Sequence, residues 1–273
     1  MEEMNIGAAK SLVDNSNYQD HDDSDLGNEI DSKYIYCRVL GYGVGGAIHL
    51  GNILAMFLAL RGPIMEDPDI KLFYSMEFFY CTIWNLVFQL LYLGMGLACD
   101  LPILLKLKNI EILNHLRSYR QIFYSGLLWP VGLGIFIVYW PVYAYDRNLI
   151  FPDYIDKVLS QASNYIMHMF IVLPILWDLF FLPFERPQSI KYSLGHCVLI
   201  AIVYYIAIFA LYGVRGVWPY PILKKIYGTL YFPLVFIFVT ILLFAIYFVQ
   251  WPIKSRIWRK QLNGKRTFPF IRP

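Results

Sequence analysis

Residues 230–251 read Leu230-Tyr231-Phe232-Pro233-Leu234-Val235-Phe236-Ile237-Phe238-Val239-Thr240-Ile241-Leu242-Leu243-Phe244-Ala245-Ile246-Tyr247-Phe248-Val249-Gln250-Trp251, without one ionisable acid or base other than tyrosine. As a helix rising 1.5 Å per residue this stretch is about 33 Å long, enough to cross a hydrocarbon core of about 30 Å. Five more apolar runs of similar length occupy about 39–60, 78–101, 121–145, 163–184 and 194–213. In lipid the backbone must satisfy its own hydrogen bonds, so each run is predicted to be a helix. The expected fold is all-α, a polytopic integral membrane bundle of six transmembrane helices spanning residues 34–253.

Composition agrees. Of the 273 residues 58% are hydrophobic and only 16% charged, against about 25% charged in a typical soluble domain. That excludes a soluble enzyme, a nucleic-acid binder and a disordered chain. The four cysteines, Cys37, Cys81, Cys99 and Cys197, form no CxxC pair and read as apolar thiols rather than a metal site.

The ends differ from the middle. Residues 1–33 hold nine acids and two lysines, the pattern of a disordered acidic tail. Residues 254–273 form a basic tail. With six spans, 16 lysines and arginines fall on the side of the termini and seven on the other. The positive-inside rule therefore predicts that both termini are cytosolic, in the plasma membrane or an endomembrane. The basic cluster from Lys254 can attract anionic lipid or serve as a plain stop-transfer anchor.

Polar residues at membrane depth are the best functional pointers in such a chain. The second helix carries Thr82, Asn85 and Gln89 on one face, and the fourth carries Asn164, His168 and Asp178. The ordinary reading is hydrogen bonding between helices. Depth adds a second reading. Both helices run inward from the same interface, and Thr82 and His168 lie about 6–8 Å below it. A hydroxyl and an imidazole at equal depth can form a nucleophile–base pair. Asp178 lies about 15 Å further along the axis, too far to orient His168. His49 lines the first helix and reads foremost as a packing residue. Asp146, beside Arg147, is expected either to roof the site as a charged pair or to orient His168.

Three stretches carry a resemblance: Tyr143-Ala144-Tyr145-Asp146-Arg147 running on to Pro152, Asn164-Tyr165-Ile166-Met167-His168, and Trp218-Pro219-Tyr220-Pro221. With Thr82, Asn85 to Gln89 and Asp100-Leu101, they resemble the androgen-induced gene 1 and androgen-dependent TFPI-regulating protein family over about residues 39–251. The resemblance implies a six-helix membrane hydrolase that cleaves fatty acid esters of hydroxy fatty acids, with a threonine nucleophile at Thr82 and a histidine at His168. Two departures stand out. The stretch from His168 to Pro174 is one residue longer than the family pattern, which would rotate the lower part of the fourth helix. Asn85 stands where an acid is often found.

The expected function is hydrolysis of a lipid ester drawn from the membrane, with Thr82 and His168 catalytic and Asn85, Asn164 and Asp146 in support. Neither a metal nor an organic cofactor is expected, and no nucleic-acid partner. Two other readings stay open. One is a non-enzymatic membrane regulator of partner proteins or lipid organisation. The other is a small transporter, against which stand the missing two-fold repeat and the missing charge track across the bilayer.

Overall fold

The computed structural model describes residues 34–107, 111–182 and 189–258; the acidic tail and most of the basic tail lie outside them. Six helices are long and apolar enough to cross a membrane: α1 (Tyr34–Ala59), α2 (Cys81–Leu104), α3 (Ile112–Tyr145), α4 (Gln161–Phe181), α5 (Lys191–Arg215) and α6 (Tyr231–Ile257). Among the described residues there is no strand. The protein is an all-α multi-pass membrane bundle.

The helix ends differ from the apolar runs for local reasons. α2 starts at Cys81 rather than 78, because Glu77–Phe79 forms a separate 3₁₀ turn. α3 begins well before 121: Glu111–Phe123 is an amphipathic helix whose polar residues hide it from a hydropathy reading. α4 starts at a Ser160 cap, whose hydroxyl accepts from the Ser163 N–H at 3.1 Å. α5 ends at Gly216, in the left-handed conformation (φ +67°) that closes a helix without a Cβ clash.

α3 is the central helix. Some 67% of its apolar window is buried, against 17% for α5 and 11% for α6, whose remaining side chains face outward. Two apolar clusters divide the bundle along its length. Tyr42, Tyr92, Leu93, Tyr124, Leu128 and Ile175 fill the half nearer the termini. Ile70, Phe73, Tyr139, Phe151, Ile155 and Met167 fill the other end.

That second end is roofed by the α1–α2 and α3–α4 connections. The helix Pro68–Ser75 is capped by the Asp67 carboxylate, which accepts from the Asp69 N–H at 3.0 Å. Asp67 also receives Lys157 Nζ at 2.6 Å, so the two connections are tied by an ion pair. The partnership holds the Asp67 carboxyl below its ordinary range and the Lys157 ammonium above its own. Beneath the roof, Ile70 and Phe73 pack in one cluster with Ile155 and Met167, directly over the mouth of α2 and α4.

Candidate functional site

Thr82 is the second residue of α2, and the start of that helix is held from outside it. The Cys81 N–H donates to two tyrosine hydroxyls, Tyr204 on α5 at 3.0 Å and Tyr220 beyond α5 at 2.9 Å. Tyr204 also reaches the Phe79 carbonyl at 3.1 Å and the Tyr220 hydroxyl at 2.8 Å. One assignment of protons satisfies all four contacts. Tyr220 donates to Tyr204, Tyr204 donates to Phe79, and both oxygens accept from Cys81. The Trp218-Pro219-Tyr220-Pro221 motif thus fixes the first turn of α2.

Across from it, α4 contains a π turn at Ile166–Phe170, flanked by α-helix on either side. A π turn pairs residue i with i+5 and so holds one residue more than an α-turn. The turn also leaves the Asn164 carbonyl approachable by the side chain four residues on. His168 Nδ1 lies 3.0 Å from that carbonyl. A carbonyl only accepts, so Nδ1 carries the proton, and in the neutral ring Nε2 is the free base. Nε2 stands 3.2 Å from Thr82 Oγ1.

Tyr139 of α3 fixes the ring. It stacks on His168 with centroids 3.5 Å apart and planes 9° from parallel. Its hydroxyl donates to Asn164 Oδ1 at 2.6 Å. Trp140 donates through its indole N–H to the His168 carbonyl at 3.1 Å. Thr82 and His168 are both buried, at 9% and 6% exposure, so the pair is shielded from bulk solvent.

The other sequence candidates fall in different places. Asn164 acts on His168 through its main-chain carbonyl, with its side-chain oxygen engaged by Tyr139. Asn85, one turn below Thr82, is fully buried, and neither amide atom has a partner among the described residues. It faces Gly132 of α3, where a Cβ would lie 3.4 Å from its Oδ1. Gln89 donates to the Ile171 carbonyl at 3.0 Å and leaves its own oxygen unpartnered among the described residues. Asp146 does not orient His168. Its carboxylate caps the turn that follows α3, accepting from the Asn148 N–H at 3.1 Å, while Arg147 pairs with Asp153 and Asp156 instead. The residue after a helix end captures its own backbone more readily than a ring elsewhere in the bundle.

Sequence reasoning passes over Tyr139 and Tyr204, which look like belt aromatics. His49, read from the sequence as a packing residue, is fully buried and packs edge-on against Phe170 of α4, and neither ring nitrogen is partnered among the described residues. With Asn85 and Gln89 it leaves five unpaired polar atoms in this part of the bundle, whereas native interiors leave few.

Residues 48–253 match the FAR-17a/AIG1-like protein family. The chain belongs to that family. It is similar to the human androgen-dependent TFPI-regulating protein, with 29% identity over 54% of this chain and 63% of that relative. It is also similar to human androgen-induced gene 1 protein, with 27% identity over 70% of this chain and 78% of that relative. A UPF0641 membrane protein of Schizosaccharomyces pombe is 26% identical over 58% of this chain and 66% of its own length. The matched region thus spans somewhat less than two thirds of the TFPI-regulating relative. No solved structure gives a significant match.

Proposed function

We propose that this FAR-17a/AIG1-like protein is an intramembrane threonine hydrolase of lipid esters, acting on fatty acid esters of hydroxy fatty acids. The observation that carries the reading is the line Thr82 Oγ1, His168 Nε2, His168 Nδ1, Asn164 carbonyl, with 3.2 Å and 3.0 Å at its two polar contacts. It puts a deprotonated ring nitrogen against a hydroxyl that is otherwise a poor nucleophile.

The chemistry follows from that line. Thr82 Oγ1 attacks the ester carbonyl carbon as its proton passes to His168 Nε2. The oxyanion forms beside the N-terminal turn of α2, where the helix dipole is positive, and within reach of the unpartnered Asn85 amide. Collapse breaks the ester C–O bond. The hydroxy-acid alcohol leaves with the proton from Nε2, and the fatty acyl group stays on Thr82. Water, deprotonated by Nε2, then attacks the acyl-enzyme; Thr82 regains its proton and the fatty acid departs. The imidazolium that forms twice in the cycle is stabilised by the Asn164 carbonyl on one side and the Tyr139 ring face on the other. Those two groups take the part that a buried carboxylate plays in the familiar triad. A pair sunk in the bundle meets substrates that partition into the membrane, which supports a lipid ester.

The reading as a non-enzymatic regulator draws on the name of a relative, which credits that protein with regulating TFPI. On that reading the Thr82–His168 contact is a hydrogen bond between helices and no more. The test is a panel of lipid esters offered to the purified chain, with a fluorophosphonate probe alongside. Hydrolysis and labelling that both disappear in Thr82→Ala support the enzyme. A wild-type chain that neither hydrolyses nor labels favours the regulator.

A further inference from the structure

At the end of the bundle away from Thr82 there is a second polar site. Asp100 lies 18 residues from Thr82 along α2, about 27 Å by helix rise. Around it is a cavity of about 460 Å³, lined by Arg38, Asp100, Arg117, Arg120, Asp178 and Lys254 among its charged groups. That size falls within the range of about 300–1,000 Å³ usual for small-ligand sites.

Among the described residues, four basic side chains line it against two acids. Asp100 is gripped by Arg38, with Nε at 2.7 Å and a second guanidinium nitrogen at 3.2 Å, and by Arg120 at 3.2 Å. Asp178 accepts from the hydroxyls of Tyr42 and Tyr92. Arg117 donates to neutral acceptors, the Asn114 amide oxygen at 2.9 Å and the Cys99 carbonyl at 3.4 Å. The Lys254 ammonium stands 4.1 Å above the Tyr124 ring. Arg120 is 4% exposed, and its Nε has no partner among the described residues. Arg117, met by neutral acceptors among the described residues, and the unpartnered Arg120 Nε are costly in a partly enclosed cavity unless an anion joins them.

We propose that this cavity binds the phosphate of an anionic membrane lipid. A phosphate accepts from several guanidinium and ammonium donors at once. The walls beside the basic groups are apolar, with Ile103, Leu179 and Leu182 available to the glycerol and upper acyl segments. The aromatic residues Trp251 and Trp258 stand at the same level, as at a membrane interface.

The experiment measures binding to the full chain in uncharged detergent with three probes: dioleoyl phosphatidic acid, dioleoylglycerol with the same chains and no phosphate, and inorganic phosphate. Arg117→Gln/Lys254→Gln should weaken phosphatidic acid binding about tenfold or more, as expected for losing charge-assisted contacts. It should leave dioleoylglycerol binding unchanged. Arg117→Gln alone, which breaks no ion pair with Asp100 or Asp178, serves if the double variant does not fold. Thr82→Ala should bind phosphatidic acid like the wild type, whatever becomes of ester hydrolysis. Equal binding of phosphatidic acid and dioleoylglycerol, or undiminished binding by the variants, overturns the site. Inorganic phosphate binding as tightly as phosphatidic acid would overturn the lipid as its source and leave a soluble phosphate in its place.

Discussion

The two tyrosines at the head of α2 make unequal contributions that the proton assignment fixes in advance. Tyr220→Phe removes an acceptor from the Cys81 N–H and a donor from Tyr204, but Tyr204 still accepts from Cys81 and donates to Phe79. No backbone group is orphaned, so the loss is that of one ordinary hydrogen bond, about 0.5–1.5 kcal/mol. Tyr204→Phe strips the Phe79 carbonyl of its tyrosine donor and leaves the Tyr220 hydroxyl proton without its acceptor. Unmet polar groups cost about 1–3 kcal/mol. The double variant orphans the Cys81 N–H, but it also removes the stranded Tyr220 hydroxyl and loses the Tyr204–Tyr220 bond only once, so the two losses should not simply add. Because Thr82 is the next residue, activity should follow: a displacement of about 1 Å at a nucleophile costs on the order of 10²-fold. Melting temperature in detergent and ester turnover, measured on both single variants and the double, form the cycle. If Tyr220→Phe proves the more damaging, or the two effects simply add, the network is wired differently and the anchoring argument fails.

Asp100→Asn should be strongly destabilising, by about 3–5 kcal/mol, because it leaves Arg38 and Arg120 buried without their counter-charge; a melting point near wild type would show the triad to be hydrated. Gly132→Ala places a Cβ 2.6 Å from Ile175 Cδ1 and should cost about 1–3 kcal/mol by overpacking. Ile175→Val removes that Cδ1, so the double variant should regain stability relative to Gly132→Ala, and failure to do so would put the strain elsewhere. The Asp67–Lys157 tie has a defined pH window. Asp67 is depressed when folded, so its contribution is present above the unfolded value of about 3.9 and disappears as pH falls through the folded one. Lys157 is raised, so its contribution is present below about 10.4 and disappears as pH rises through the folded value. The melting difference between wild type and Lys157→Gln should therefore be flat from about pH 5 to 9 and shrink at both extremes.

The six helices are legible in the sequence because crossing lipid imposes length and hydropathy together, and both are written along the chain. The equal depth of Thr82 and His168 is legible because helical rise is constant. Where polar residues continue a helix, as in Glu111–Phe123, hydropathy falls silent although the helix goes on. The remaining parts of the site depend on contacts between distant positions. Tyr204 and Tyr220 meet Cys81 across 123 and 139 residues, and the stack of Tyr139 on His168 needs the π turn to aim the ring. No single-residue property separates Tyr139 from the many other aromatic residues of such a chain. Asp146 misleads for the opposite reason: beside Arg147 it looks like a paired charge, whereas the local turn claims it.

Acylation of Thr82 is the step on which the proposed hydrolysis depends, and intact-protein mass spectrometry during turnover of a lipid ester reads it directly. The wild-type chain should gain the mass of the fatty acyl group, and peptide mapping should place it on the segment containing Thr82. Thr82→Ala and His168→Ala should gain nothing, since without its base the hydroxyl does not attack. An acyl group on another residue, or wild-type turnover by Thr82→Ala, would contradict the threonine mechanism.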